Sequence, residues 1–189
     1  MEWQARRSSS ATPLEPTGAQ REMTHTGTAS MSLREVVQRA AAALAPFQRI
    51  RQDKEPQILV IDNDEIHRSI ISKVAARAGF LPVQASDCGN VVRQTLLNEF
   101  DCATLDMSLG EREGAEVLLH FSICKFHAPV QILSGADADA TARGYELGRR
   151  LGLTMMEPLT KPVDLGVLRD QLGSVAQHWR DRRAHATAA

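Results

Sequence analysis

Four polar residues stand where apolar runs end: Asp62 after ILVI, Asp106 after CATL, Ser134 after VQIL, and Lys161 immediately before Pro162. If those runs are parallel strands, their carboxyl ends open onto one crevice, and residues far apart in sequence converge there. Two carboxylates, a hydroxyl and an ammonium in one crevice suit a phosphoryl group and a divalent cation. A carboxylate can act as oxygen nucleophile or hard-metal ligand, the hydroxyl can donate to a phosphoryl oxygen, and the ammonium can neutralise its charge.

The elements that must position these residues can be read from periodicity. Strands are expected near 57–62, 81–85, 101–106, 129–134 and 153–157, and helices near 65–78, 88–98, 113–124, 138–150 and 164 to about 180. Strict alternation of strand and helix at this period argues for an α/β fold, a parallel sheet covered by helices on both faces. In the last helix Leu165, Leu168, Leu172, Val175 and Trp179 recur at steps of three and four, which gives one apolar stripe.

The fragments ILVIDND, CATLDMSLGEREG, VQILSG and LTKPVD occur in this order and resemble the receiver (CheY-like) domain of two-component response regulators over roughly residues 57–175. The resemblance implies a doubly wound, flavodoxin-like (βα)5 domain with strand order 2-1-3-4-5. It implies Asp106 as phosphoacceptor, with Ser134 and Lys161 contacting the phosphoryl group. It further implies a Mg²⁺ site formed by Asp62, Asn63, Asp106 and the main-chain carbonyl of Ser108. Gly135 would leave access to the phosphoryl group, and Gly114 matches the turn glycine of that family. The implied partners are a sensor histidine kinase or phosphotransfer protein and an unidentified downstream protein, with a homodimer as a further expectation. Readout would run through the fourth helix, fifth strand and fifth helix as in that family, or through the N-terminal helix.

Two positions depart from that family's pattern. Asn63 stands where a second acidic residue is usual, so one negative charge is missing beside the metal. A unit charge at about 4 Å is worth about 4 kcal/mol at an effective dielectric near 20, before desolvation. Metal affinity should fall, although the Asn63 carbonyl can coordinate and Asp64 is close enough in sequence to compensate. Pro158, three residues before Lys161, replaces a commonly aromatic residue that changes rotamer on phosphorylation, and proline cannot switch in that way. Tyr145 falls in the fourth helix and reads as packing.

The 189 residues suit one domain with extensions, and 43% hydrophobic content can fill a core. A net charge of −1 gives no global attraction to nucleic acid or to an acidic membrane surface, and no run approaches the length that spans a bilayer. Cys88, Cys102 and Cys124 form no CxxC pair, which fits a reducing, cytoplasmic setting. Residues 1–30 are rich in Ser, Thr, Pro and Gly and read as a disordered tail. Residues 31–54 read as an amphipathic helical extension. There Ser32 and Glu35 form a capping box, followed by Leu33, Val36, Val37, Ala40, Ala41 and Leu44 at helical spacing. The receiver-like domain is expected over 55–177, and residues 178–189 as its helix end and tail.

Other clusters have plainer readings. His67 reads as a surface imidazole. His120, Cys124 and His127, at i, i+4 and i+7, would share a helix face, but Phe126 and Pro129 suggest that the helix ends there. Arg180, Arg182 and Arg183 read as a solvated helix end favoured by the helix dipole.

Three functions compete. The leading one is a single-domain response regulator phosphorylated on Asp106, a signalling protein rather than a turnover enzyme. The second is a pseudo-receiver binding module that signals by contact alone, supported by Asn63 and Pro158. The third is a haloacid-dehalogenase-like phosphatase using Asp62 and Asp64. It leaves Asp106 unexplained and needs room after Asp64 for a flap.

Overall fold

A computed structural model describes residues 55–107, 111–135 and 138–187. The tail and helical extension expected within 1–54 therefore lie outside the described residues, as does Ser108. Five strands form one parallel sheet: β1 (Gln57–Ile61), β2 (Leu81–Ala85), β3 (Cys102–Asp106), β4 (Val130–Ser134) and β5 (Leu159–Thr160). They are ordered β2-β1-β3-β4-β5. Helices α1 (Glu65–Arg77), α2 (Cys88–Leu97), α3 (Glu111–Ile123), α4 (Ala138–Arg150) and α5 (Leu165–Thr187) alternate with them. This is the expected doubly wound (βα)5 architecture.

The three central strands are buried along their whole length. A parallel sheet covered on both faces needs apolar side chains on both, so its strands read as continuous runs such as ILVI instead of alternating. Successive side chains then divide between two cores. Leu59, Ile61, Ala103, Leu105 and Val130 pack with Val91, Val117, Leu118 and Phe121 under α2 and α3. Ile58, Val60, Cys102 and Leu133 pack with Ile71, Val74, Leu168, Leu172 and Ala176 of α1 and α5. Burying one such Leu or Ile side chain contributes about 1.5–3 kcal/mol.

Side-chain caps fix where two helices begin. Asp64 caps α1 by accepting from the His67 N–H at 2.8 Å, and Asp87 caps α2 by accepting from Asn90 N–H at 2.8 Å. In both, that backbone N–H holds the carboxyl below the ordinary aspartate range. α5 runs through the expected domain end at 177 as far as Thr187. Trp179 is buried beyond that point, with the Arg183 guanidinium 5.1 Å over its ring. Leu165, counted in the apolar stripe, is instead 42% exposed, and Ala176 takes a place in the seam.

The fifth strand departs from its expected position at 153–157. In that segment only Met155 bridges to Val130; the ladder then breaks and resumes where Leu133 and Ser134 face Leu159 and Thr160. Three steps along β4, from 130 to 133, thus match four steps along its neighbour, from 155 to 159. Pro158 explains the break. It has no N–H to donate and belongs on an edge strand at a bulge. The buried Gln131 side chain donates to the Glu157 carbonyl across the gap.

Candidate phosphoryl-transfer site

The sheet order changes direction at β1, so β1 and β3 are neighbours whose connections leave on opposite sides. Their carboxyl ends flank the crevice expected of such a switch point. Ile61 is in register with Leu105, and Asp106 with Leu133, which sets Asp62, Asp106 and Ser134 side by side at the strand ends. All three are buried, at 1%, 1% and 3% exposure. Lys161, just beyond β5, donates its backbone N–H to the Ser134 carbonyl. Its side chain reaches back to place Nζ 2.7 Å from Asp106 Oδ2 and 3.4 Å from Asp62 Oδ2. The peptide bond between Lys161 and Pro162 is cis.

The catalytic set read from the sequence, Asp106, Ser134 and Lys161, therefore meets in one place, together with Asp62. One ammonium faces two buried carboxylates, so the cluster carries net negative charge. That suits a divalent cation, and the side-chain donors are oxygens of the kind hard cations take. Among the described residues no group of three or more His, Cys, Asp and Glu is spaced to hold a metal. The donor set is thus lean: two carboxylates and the exposed Asn63 amide. Mg²⁺ tolerates such a set, because it keeps several waters and commonly uses only one or two carboxylates.

Asp64 does not compensate for Asn63. Its carboxylate is turned to the start of α1 as the cap, while its own N–H donates to Asp62 Oδ1 at 2.8 Å. Gly114 also departs from the expected turn. It lies inside α3, where a Cβ would meet Met107 Sδ and Cε at 3.0 Å. The His120, Cys124 and His127 face is scattered as the sequence suggested, because α3 ends at Ile123. His120 is buried with Nε2 2.7 Å from Thr95 Oγ1, and Cys124 Sγ donates to the Phe121 carbonyl. Burial pushes the Cys102 thiol up to about 12, so it stays protonated and inert.

Three further residues contribute, of which the sequence singled out only His67, as a surface imidazole. His67, half-exposed, brings Nδ1 within 3.4 Å of Asp62 Oδ2. Arg68 donates to the Asp62 carbonyl at 2.7 Å and to Gln84 Oε1 at 3.2 Å, tying the end of β1 to β2. Thr141, in the first turns of α4, donates its hydroxyl to Ser134 Oγ. The first two follow from position, since the first turns of a helix starting at Glu65 overlie the end of β1. No spacing in the sequence announces Thr141.

A family model described as the response regulator receiver domain matches residues 58–173, and the chain belongs to that family. Domains of this family serve two-component signalling. Solved structures agree on the fold. The receiver domain of the Francisella response regulator 1452 shares 21% identity at TM-score 0.54, covering 65% of this chain and 98% of that one. The signal receiver domain of an HD domain-containing protein from Pseudomonas fluorescens Pf-5 shares 19% at TM-score 0.57, covering 68% and 99%. A Burkholderia pseudomallei response regulator solved with a phosphorylated aspartic acid, calcium ion and citrate shares 19% at TM-score 0.52, covering 70% and 75%. No curated protein matches the chain. Helix α1 starts directly after Asp64, which leaves no segment for the flap that a haloacid-dehalogenase-like phosphatase requires. No described helix is long and apolar enough to cross a membrane.

Proposed function

We propose that this chain is a response regulator receiver that accepts a phosphoryl group on Asp106 from a histidine kinase or phosphotransfer protein and passes the signal on by protein contact. The observation that carries this reading is the Lys161 ammonium lying 2.7 Å from Asp106 and 3.4 Å from Asp62, with both carboxylates buried at neighbouring strand ends. An Asp106 oxygen forms the new O–P bond as the donor's N–P bond breaks, and that electron pair leaves with the imidazole. Lys161 balances charge on the phosphoryl oxygens, and Ser134 donates a hydrogen bond to one of them. Asp62, Asn63, Asp106 and the Ser108 carbonyl would hold a Mg²⁺ ion, which supplies the remaining charge neutralisation. Hydrolysis by water later returns the free carboxylate. The phosphorylated aspartate and cation in the Burkholderia relative are in keeping with this chemistry.

A second reading, a pseudo-receiver that signals without phosphate, is favoured by one observation: Asp64 is committed to capping α1, so it does not replace the acid missing at Asn63. Incubation with Mg²⁺ and acetyl phosphate, followed by intact mass, separates the two. A gain of one phosphoryl group, absent from Asp106→Asn, supports the first. No gain in wild type but a gain in Asn63→Asp supports the second.

A further inference from the structure

Receivers that carry an aromatic residue ahead of the Lys-Pro pair have a side chain able to report the state of the site, and Pro158 removes it here. In this chain α4 touches the site by a different route. Thr141, 7% exposed on the inner face of α4, donates its hydroxyl to Ser134 Oγ, and the Ser134 hydroxyl donates in turn to the Gly135 carbonyl at 3.4 Å. A serine hydroxyl has one proton and two lone pairs. With Thr141 occupying a lone pair, the proton of Ser134 must point elsewhere, and the long contact to Gly135 is a weak place for it. A phosphoryl oxygen on Asp106 would be a stronger acceptor.

A second contact reaches α4 from the residue next to Asp106. The Met107 side chain lies against Gly144, one turn beyond Thr141, so closely that a Cβ there would stand 2.7 Å from Met107 Cε. Both contacts meet α4, one from the residue after β3 and one from the residue that ends β4.

We propose that Thr141 is a positioning residue: it orients the Ser134 hydroxyl towards the phosphoryl group and carries the movement of that hydroxyl into α4, in place of the relay absent at Pro158. The inference rests on the proposed phosphorylation of Asp106. When Ser134 turns to the phosphoryl oxygen it keeps the Thr141 bond, and the first turns of α4 follow, with Met107 bearing on Gly144. The bond adds no group to the reaction, so its loss should uncouple α4 from the site more than it slows phosphate gain.

Hydrogen exchange of the full chain, read by mass spectrometry with and without Mg²⁺ and acetyl phosphate, tests this. Intact mass records phosphate gain in the same samples. In wild type, phosphorylation is expected to change exchange of the α4 amides about fivefold, the equilibrium equivalent of one net hydrogen bond. Thr141→Val, which keeps the shape and removes the donor, should gain phosphate and lose that change. Thr141→Ser should restore it, and Thr141→Ala offers a second donor-free variant if the valine chain folds poorly. An α4 response equal to wild type in the phosphorylated valine or alanine variant would overturn the inference while leaving the proposed function intact. So would phosphate gain without an α4 response in wild type. Absence of phosphate gain in wild type would instead overturn both.

Discussion

Replacing Lys161 by methionine keeps most of the stem and removes the charge. The ammonium lies 2.7 Å from Asp106 Oδ2 and 3.4 Å from Asp62 Oδ2. At an effective dielectric near 20 these contacts correspond to about 6 and about 5 kcal/mol of gross attraction. Desolvation offsets much of that, and leaving a buried charge without its partner costs about 3–5 kcal/mol. The Lys161 side chain retains 16% exposure, which places the expected loss near the lower end, about 3 kcal/mol. The two carboxylates also repel each other once the ammonium is gone, which adds to the loss. Urea unfolding in EDTA at neutral pH, with matched m-values, measures the effect. In Lys161→Met with Asp106→Asn the second substitution should return much of the lost stability, a non-additivity expected of groups in contact. A loss below about 1 kcal/mol at neutral pH, the range of exposed pairs, would refute the buried cluster. So would strict additivity with Asp106→Asn.

Other expected outcomes can be read in simpler assays. Asn63→Asp should tighten Mg²⁺ binding by roughly tenfold or more in calorimetry, since the added charge lies beside a cluster already net negative. Burial lowers the proton affinity of His120 in the folded chain, whereas the unfolded chain takes up a proton near its ordinary value of about 6.5. Stability should therefore fall as the pH drops below about 6.5, and His120→Leu should flatten that limb of the stability profile. Leu172→Ala, at a position with no exposure between the sheet and α5, should cost about 2–5 kcal/mol in urea unfolding without altering phosphate gain on the folded chain.

The parts of the molecule legible in the sequence are those governed by burial. Runs such as ILVI and CATL, alternating with helical patterns, fit strands covered on both faces, and the polar residue ending each run then falls at the crevice. Asp62, Asp106, Ser134 and Lys161 were therefore readable together. The fifth strand was misplaced because its apolar run, LTMME, is weaker than the others and does not fix the pairing, while the register was decided by a missing N–H at Pro158 and by Gln131 bridging the gap. Asp64 looked available as a metal ligand, but an aspartate directly before a helix is drawn to its unpaired N–H groups. Thr141 was invisible for a different reason. Its contact with Ser134 depends on how the chain turns between β4 and α4, and hydrophobic periodicity does not encode that path.

The most direct test of the account is to locate the phosphoryl group. Wild-type chain treated with Mg²⁺ and acetyl phosphate, reduced with borohydride and digested, should yield the peptide containing Asp106 with that residue converted to homoserine, and no other carboxylate converted. Conversion at Asp62 or Asp64, or no conversion at all while a known receiver in the same experiment is labelled, would contradict the assignment of Asp106 as phosphoacceptor.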